Sequence, residues 1–140
     1  MPAKGSAEWT GGLQTGTGTF TAGDSIGGGY TFKSRFEGGP GSNPEQLIAA
    51  AHAACFSMAL SAALERAGTP VESVQTDATV TLRLVDGAPV ITNIALVTQG
   101  RVPGIDEATF VKEAEGAKAN CPVSKALAGV PEITLEASML

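Results

Sequence analysis

The chain has 140 residues, of which 43% are apolar and 16% are charged, as in an ordinary folded soluble protein. Its 14 acidic and 9 basic residues give a net charge of −5, so nothing in the charge balance favours nucleic acid or an anionic membrane as a partner. We therefore predict a single domain over residues 1–140, and the charge balance leaves small neutral or apolar molecules open as substrates.

The N-terminal third is rich in Gly and Thr, with aromatic residues spaced among turn residues. This pattern predicts three short strands near residues 6–11, 16–22 and 29–36, with Gly27-Gly28-Gly29 as a flexible turn. The start of the chain lacks the apolar core and cleavage site of a signal peptide, so we expect a cytoplasmic location.

A long helix is predicted to begin after Asn43, which can cap it, and to end before Gly68. It would have about 24 residues and a length of about 36 Å. The stretch 47–64 is apolar enough to suggest a membrane span, but it contains His52 and two serines, and such a run more often forms a buried helix. Because nearly every face is apolar, we predict a homodimer with this helix at its centre.

The second half alternates between strand-like and helix-like patterns, so the whole chain is predicted to be an α+β domain. The predicted elements are a strand over 74–84, a turn at Asp86 and Gly87, a strand over 90–99, a helix capped by Asp106 with an apolar stripe at Phe110, Ala114 and Ala117, a short helix at Pro122 and a strand over 133–139.

The sequence contains two cysteines, and either could have a chemical role. Cys55 lies in the middle of the long helix among small apolar residues, so it can be an inert core residue whose pKa is raised by burial. Cys121 directly precedes Pro122 at a helix start, where backbone N–H groups favour a thiolate. The apolar stripes of both helices point the sulfurs toward a shared interior, which makes a transient disulfide plausible.

His52 is the only histidine and lies three positions before Cys55. A Cys–His hydrolase would need an oxyanion hole and an orienting partner, which the sequence does not supply. A metal site formed by His52, Cys55, Cys121 and a carboxylate lacks any Cys-x-x-Cys spacing. We therefore expect a packed histidine, no metal and no bound cofactor.

Several motifs together are more specific than any single residue. They are Arg35-Phe36-Glu37-Gly38, the run NPEQLIAAAHAACFSMAL over 43–60, VPGID over 102–106, ANCPVS over 119–124 and EITL over 132–135. This pattern resembles the osmotically inducible protein C family over the whole chain, with no departure at the motif positions. The osmotically inducible branch fits better than the organic hydroperoxide resistance branch of the same superfamily.

The resemblance implies an intertwined homodimer in which two central helices pack against antiparallel β-sheets. It implies a peroxidase that reduces organic hydroperoxides, and hydrogen peroxide less efficiently, to alcohols in antioxidant defence. Cys55 would be the peroxidatic thiolate and Cys121 the resolving thiol, while Arg35 would activate Cys55 and Glu45 would orient Arg35. An external dithiol, dihydrolipoamide or a lipoylated protein, would complete the cycle.

Other interpretations stay open at the level of single residues. Arg35 can be a solvated cation at a strand end and Glu45 a first-turn acid that interacts with the helix dipole. The protein can also be a redox sensor, or a non-catalytic binding or structural dimer with two core cysteines. If it is a peroxidase, we expect an apolar entrance near the sulfur, lined by Phe56, Met58, Leu60 and Phe110.

Overall fold

The computed structural model describes all 140 residues and confirms the predicted α+β class. It divides the chain into two compact units, Met1–Leu47 and Ile48–Leu140. The long helix α2, Pro44–Arg66, contributes its first turn to the first unit and the rest of its length to the second. The single domain over residues 1–140 stays a prediction.

The first unit contains an antiparallel sheet in the order β1-β2-β3. Its elements are β1 (Gly5–Thr10), β2 (Thr17–Ala22), β3 (Ile26–Tyr30) and the short helix α1 (Phe32–Phe36). The predicted third strand over 29–36 is wrong in most of its length, and so is the turn at Gly27-Gly28-Gly29. These glycines lie inside β3, where Gly28 pairs with Phe20 of β2.

Helix α1 forms where the sequence suggested a strand, because a capping box starts it. Thr31 Oγ1 accepts a hydrogen bond from the Ser34 N–H (3.0 Å), and Ser34 Oγ accepts one from the Thr31 N–H (2.9 Å). These two bonds satisfy backbone donors that a helix start otherwise leaves free. Local capping therefore outweighs the strand propensity of the flanking aromatic residues.

Helix α2 begins and ends as predicted. Asn43 Oδ1 accepts a hydrogen bond from the Gln46 N–H (2.8 Å), and Gly68 follows the helix with a φ of +84°. By length and composition α2 is apolar enough to cross a membrane, and only 22% of its most apolar stretch is buried within the chain. Beyond its first turn, the buried residues of α2 follow a four-residue step along one face: His52, Phe56, Leu60 and Leu64.

The second unit contains a sheet in the order β4-β5-β6, with two helices between its last two strands. Its elements after α2 are β4 (Ser73–Val85), β5 (Ala88–Arg101), α3 (Glu107–Asn120), α4 (Pro122–Ala126) and β6 (Glu132–Met139). Strands β4 and β5 form an antiparallel hairpin that turns at Asp86 and Gly87, both with positive φ. Strand β6 pairs parallel to β5, which differs from the expected all-antiparallel sheet. The difference arises because α3 and α4 form a crossover connection, which returns the chain in the same direction.

Residues from α2, β5, α3 and the start of α4 form the core of the second unit. The α3 stripe is buried as predicted, with Phe110, Ala114 and Ala117 at most 4% exposed. The largest fully buried aliphatic and aromatic core residues are Phe56, Leu60, Leu64, Ile94, Leu96 and Phe110. This packing fixes the facing sides of α2 and α3, each of which carries or precedes one cysteine.

Candidate active site

Cys55 and Cys121 meet in the second unit, although they are 66 positions apart in sequence. Cys55 lies on α2, and Cys121 is the single residue between α3 and α4. Their Sγ atoms are 3.0 Å apart, within hydrogen-bonding distance for a thiol and a thiolate. Cys55 is half-buried, whereas Cys121 is fully buried. The pair is therefore two free cysteines in contact, of which only Cys55 has an exposed side.

The two thiols differ in the direction of their pKa shifts. Burial raises the pKa of Cys55, and the neighbouring Cys121 raises it further. Burial also acts to raise the pKa of Cys121, but the neighbouring Cys55 thiol and the polar groups of Val123 and Ser124 favour its ionised form, and the net pKa shift is downward. Cys121 lies at the N-terminal end of α4 as predicted, but its sulfur accepts no capping hydrogen bond from the first turn of that helix.

His52 is fully buried beside this pair. Its Nε2 lies 2.7 Å from Ser124 Oγ, while its Nδ1 has no hydrogen-bonding partner. Burial lowers the pKa of His52, so the imidazole is neutral at physiological pH. The expected packed histidine is therefore present, but with one polar contact that sequence reasoning missed. No sequence signal marked this contact, because it joins residues that are 72 positions apart.

Arg35 and Glu45 form an ion pair within the first unit. Arg35 Nη2 donates to Glu45 Oε1 at 2.8 Å, and Arg35 Nε donates to both carboxylate oxygens at 3.2 and 3.3 Å. Glu45 is only 6% exposed, and the guanidinium carbon lies 5.3 Å from the centre of the Phe36 ring. This two-pronged contact fixes the plane of the guanidinium, which a single hydrogen bond would leave free to rotate.

The loop between α1 and α2 holds this ion pair in position. Asn43 caps α2 and also donates from Nδ2 to the carbonyl of Ser34 (3.1 Å), while Ser34 Oγ donates to the carbonyl of Ser42 (2.8 Å). Because the same residues end α1 and start α2, the positions of Arg35 and Glu45 are coupled. The sequence indicates where α2 starts, but it does not indicate that Arg35 and Glu45 lie in contact.

An apolar cleft of about 220 Å³ adjoins Arg35 in the first unit. Its lining residues are Trp9, Leu13, Tyr30, Thr31, Phe32, Arg35 and Phe36. The entrance predicted from the sequence is wrong, because Phe56, Leu60 and Phe110 are fully buried core residues, while Met58 is 75% exposed on the surface of α2. The apolar residues near Cys55 that were predicted to line the entrance mostly belong to the hydrophobic core instead.

Chemically, the second unit offers a dithiol pair that can reach a disulfide with a small movement of either sulfur. No group of three or more His, Cys, Asp or Glu side chains is placed to hold a metal ion. What the arrangement supports directly is two-electron thiol chemistry at Cys55 and Cys121.

Comparison with known proteins agrees with this thiol chemistry. The family model described as OsmC-like protein matches residues 37–136. The Peroxiredoxin OsmC of Escherichia coli (strain K12) is 49% identical over 135 residues, which cover 95% of this chain and 93% of that protein. The chain belongs to the OsmC-like protein family. The resemblance stated from the motifs is thereby confirmed.

The other branch of the superfamily lies further from this OsmC-like chain. The organic hydroperoxide resistance protein of Xanthomonas axonopodis pv. citri (strain 306) is 37% identical over 100 residues, covering 70% of this chain and 68% of that protein. The crystal structure of OhrB of Bacillus subtilis matches the OsmC-like fold with a TM-score of 0.75 at 26% identity, covering 100% of this chain and 98% of that chain. These values agree with the predicted branch and the predicted fold.

Proposed function

We propose that this protein is a cysteine-based peroxidase that reduces organic hydroperoxides to alcohols. The names of its relatives, a peroxiredoxin and an organic hydroperoxide resistance protein, support this class of enzyme. The observation that carries the assignment of roles is the contact of a half-buried sulfur with a fully buried one at 3.0 Å. We therefore assign the attack on the peroxide to the more exposed Cys55 and the attack on oxidised Cys55 to the buried Cys121.

The proposed cycle has three balanced steps. The Cys55 thiolate attacks one peroxide oxygen, an S–O bond forms as the O–O bond breaks, and the alkoxide leaves and takes up a proton to become an alcohol. Cys121 then attacks the sulfenic sulfur of Cys55, forming the S–S bond and releasing hydroxide, which is protonated to water. An external dithiol returns two electrons and two protons to the disulfide.

Arg35 and Glu45 are proposed to activate the first step. Burial raises the pKa of Cys55, so a reactive Cys55 needs a cation that stabilises its thiolate. A guanidinium held rigidly by Glu45 is suited to this task, because it can stabilise the thiolate and polarise the peroxide oxygens. The ion pair supports this role, and the resemblance assigns it.

We propose organic hydroperoxides as preferred substrates over hydrogen peroxide because the cleft beside Arg35 is aromatic and apolar.

The reductant is proposed to be a dithiol of the lipoyl type, free or protein-bound, with no resident cofactor. The working form is proposed to be a homodimer in the cytoplasm, each chain acting as one domain, with no nucleic-acid or membrane partner. The large unburied apolar surface of α2 supports the dimer.

The test is stoichiometric oxidation of the reduced protein by an alkyl hydroperoxide, followed by intact-mass measurement. The wild type should lose two hydrogens as Cys55 and Cys121 join, and peptide mapping should find that link. Cys55→Ser should not react, and Cys121→Ser should gain oxygen without forming an intramolecular disulfide. An unreactive wild type would contradict the proposal and favour two core cysteines.

A redox sensor would share this oxidation but not sustained catalysis. Steady-state consumption of tert-butyl, fatty-acid and hydrogen peroxides with a dihydrolipoyl reductant separates the two functions. We expect many turnovers per site and the highest kcat/KM for an organic peroxide. Oxidation that stops after one turnover with every dithiol tested would favour the sensor.

A further inference from the structure

The aromatic side chains of the first unit are not part of a buried core. Phe56 and Phe110 are the aromatic members of the core of the second unit, and every other aromatic residue lies within Met1–Leu47. All of these others remain at least partly exposed, including Trp9 and Tyr30. Accessible aromatic surface around a cavity is the usual lining of a site for an apolar ligand.

A row of three residues across the first sheet brings two of these rings together. Trp9 of β1 pairs with Gly18 of β2, and Gly18 pairs in turn with Tyr30 of β3. A Cβ atom at Gly18 would overlap both rings, and its absence lets their centroids approach to 5.4 Å. The Tyr30 ring also lies 6.3 Å from the ring of Phe20, so it packs against neighbours in both directions.

Tyr30 lines two apolar cavities of the first unit. One is the cleft of about 220 Å³ beside Arg35, and the second has a volume of about 120 Å³. The lining of the second cavity consists of Ala7, Phe20, Tyr30, Asn43, Pro44 and Leu47. Tyr30 is the one residue that the two linings share. Because Trp9 belongs to the first lining and Phe20 to the second, the ring that packs against both lies at the boundary between the cavities.

We propose that Tyr30 is a specificity-determining residue that closes the cleft beside Arg35 and thereby limits the length of the alkyl chain that this cleft accepts. The inference rests on the proposed function, because it concerns the substrate of that reaction. The polar O–O group of the hydroperoxide faces the Arg35 guanidinium, and the alkyl chain runs along the aromatic lining to the Tyr30 ring. A longer chain has to leave the cleft for solvent, where further methylenes add nothing to binding.

Removal of the ring should join the two cavities. In Tyr30→Ala, the chain can continue past position 30 toward Phe20 and Leu47, so additional methylenes leave water. Each methylene that becomes buried strengthens binding by about fourfold. Tyr30→Phe is the matched control, because it keeps the ring and its packing and loses only the hydroxyl.

Binding of the unreactive product alcohols tests this role without catalysis. Trp9 is the only tryptophan of the chain and lines the cleft, so its fluorescence reports when the cleft is occupied. Linear alcohols from butanol to decanol are titrated into the reduced proteins. For the wild type and Tyr30→Phe, we expect affinity to rise with chain length and then to reach a plateau. In Tyr30→Ala the plateau should move to longer alcohols, and the ratio of the affinities for decanol and butanol should rise about tenfold.

A second substitution separates this role from a loosened fold. Ala7 is exposed on the edge strand β1 and lines the second cavity, so Ala7→Leu fills that cavity from outside the cleft beside Arg35. In the wild-type background, Ala7→Leu should leave the plateau unchanged, because no chain reaches the second cavity. In the Tyr30→Ala background, it should return the plateau to the wild-type length. Such non-additivity indicates that both positions act on the same space.

The corresponding hydroperoxides test the consequence for substrate choice. The kcat/KM values for butyl to decyl hydroperoxides should follow the alcohol affinities, with the same rise of about tenfold in the decyl-to-butyl ratio for Tyr30→Ala. If Tyr30→Ala does not fold, Tyr30→Leu provides the same comparison, because its side chain is shorter than that of tyrosine but still apolar.

The possible results separate the two proposals. If the alcohols bind with the expected dependence on length but the wild type consumes no hydroperoxide, the proposed function fails, whereas the limit that Tyr30 sets on the bound chain is supported. If folded Tyr30→Ala has the same plateau as the wild type, or if no alcohol binds the wild type, the inference is overturned. A shorter plateau in Ala7→Leu alone would also overturn it, because the chain would then already pass Tyr30.

Discussion

Glu45 is a buried carboxylate whose polar contacts are with Arg35, so a substitution at this position should directly affect the orientation of Arg35. The carboxylate accepts from both Nε and Nη2, so it determines the orientation of the guanidinium as well as its location. An amide of the same shape keeps the volume but can accept through only one oxygen.

Glu45→Gln should therefore lower kcat/KM for an alkyl hydroperoxide by about tenfold or more, because the guanidinium loses the negative charge of its partner and the hydrogen bond from Nε to Oε2. Glu37→Gln is the control, since Glu37 is an exposed acid in the same unit that forms no ion pair. Steady-state kinetics on both variants provides the measurement. Equal activity in wild type and Glu45→Gln would remove Glu45 from the proposed site.

His52 should also affect stability in a defined pH window. Burial lowers its pKa, so when the pH falls through about 6.5 the unfolded chain binds a proton that the folded protein does not. The free energy of unfolding should consequently decrease between about pH 7.5 and 5.5, a range above the titration of most carboxylates. Urea unfolding at several pH values should show this decrease in the wild type, and His52→Gln should lose it. An identical slope in both proteins would contradict the argument.

Single residues also show how far the sequence could predict the site. Both cysteines, Arg35 and Glu45 were found through their motifs, and the structure brings them together as two separate pairs. Ser124 was missed, because a serine in a short helix has no distinctive pattern and its contact with His52 joins residues 72 positions apart. The opposite pKa shifts of Cys55 and Cys121 could not be predicted either, since burial acts to raise both and the polar groups around each sulfur decide the direction. The catalytic roles of all four motif residues stay predictions.

At the scale of elements, the strongly periodic segments were predicted best. Helix α2, the β4–β5 hairpin and helix α3 match their expected positions, because each has a clear hydrophobic period and a marked end. Strand β3 and helix α1 were not found. Glycines carry no hydrophobic pattern, and the Thr31–Ser34 capping box is short. The parallel pairing of β6 depends on the path of α3 and α4, which periodicity does not describe.

Packing between β5 and α3 leads to a prediction for two glycines. A Cβ atom at Gly100 would overlap the ring of the fully buried Phe110, whereas a Cβ at Gly116 in α3 would meet nothing. Gly100→Ala should therefore lower the free energy of unfolding by about 1–3 kcal/mol through overpacking. Gly116→Ala should raise it by about 0.5–1 kcal/mol through the greater helix propensity of Ala.

Urea unfolding of the two variants beside the wild type provides this test. The two substitutions add the same methyl group. Opposite changes in the free energy of unfolding would therefore show that the surroundings of each glycine decide the effect. A stable Gly100→Ala protein would mean that Phe110 can move without loss of packing. Such a result would contradict the close fit of α3 against β5.

At the scale of the whole molecule, the surface of α2 remains to be covered. Glu45 and Cys55 are ten positions apart on this helix, which corresponds to about 15 Å along its axis. We therefore propose that Glu45, together with Arg35, reaches Cys55 of the partner subunit in the homodimer. Each active site would then take residues from both chains.

Mixed dimers test this arrangement directly. Cys55→Ser and Glu45→Ala subunits should each be inactive or nearly so alone, but heterodimers would contain one site with an intact Cys55 and an intact Glu45. We expect these heterodimers, purified with two different affinity tags, to regain about half of the wild-type activity per dimer, as one intact site of two. Absence of rescue in verified heterodimers would place Glu45 with the Cys55 of its own chain or outside the site.

The contact between Cys55 and Cys121 also has a consequence for the stability of the fold. A bond between these sulfurs would close a ring in the chain that spans 66 positions and includes β4, β5 and α3. By the chain-entropy estimate, such a closure stabilises the folded state by about 4 kcal/mol. The oxidised enzyme should consequently melt at a higher temperature and resist proteases longer than the reduced one. Each turnover would raise and then lower the stability of the fold, so the melting temperature would report whether the cysteine pair is oxidised or reduced.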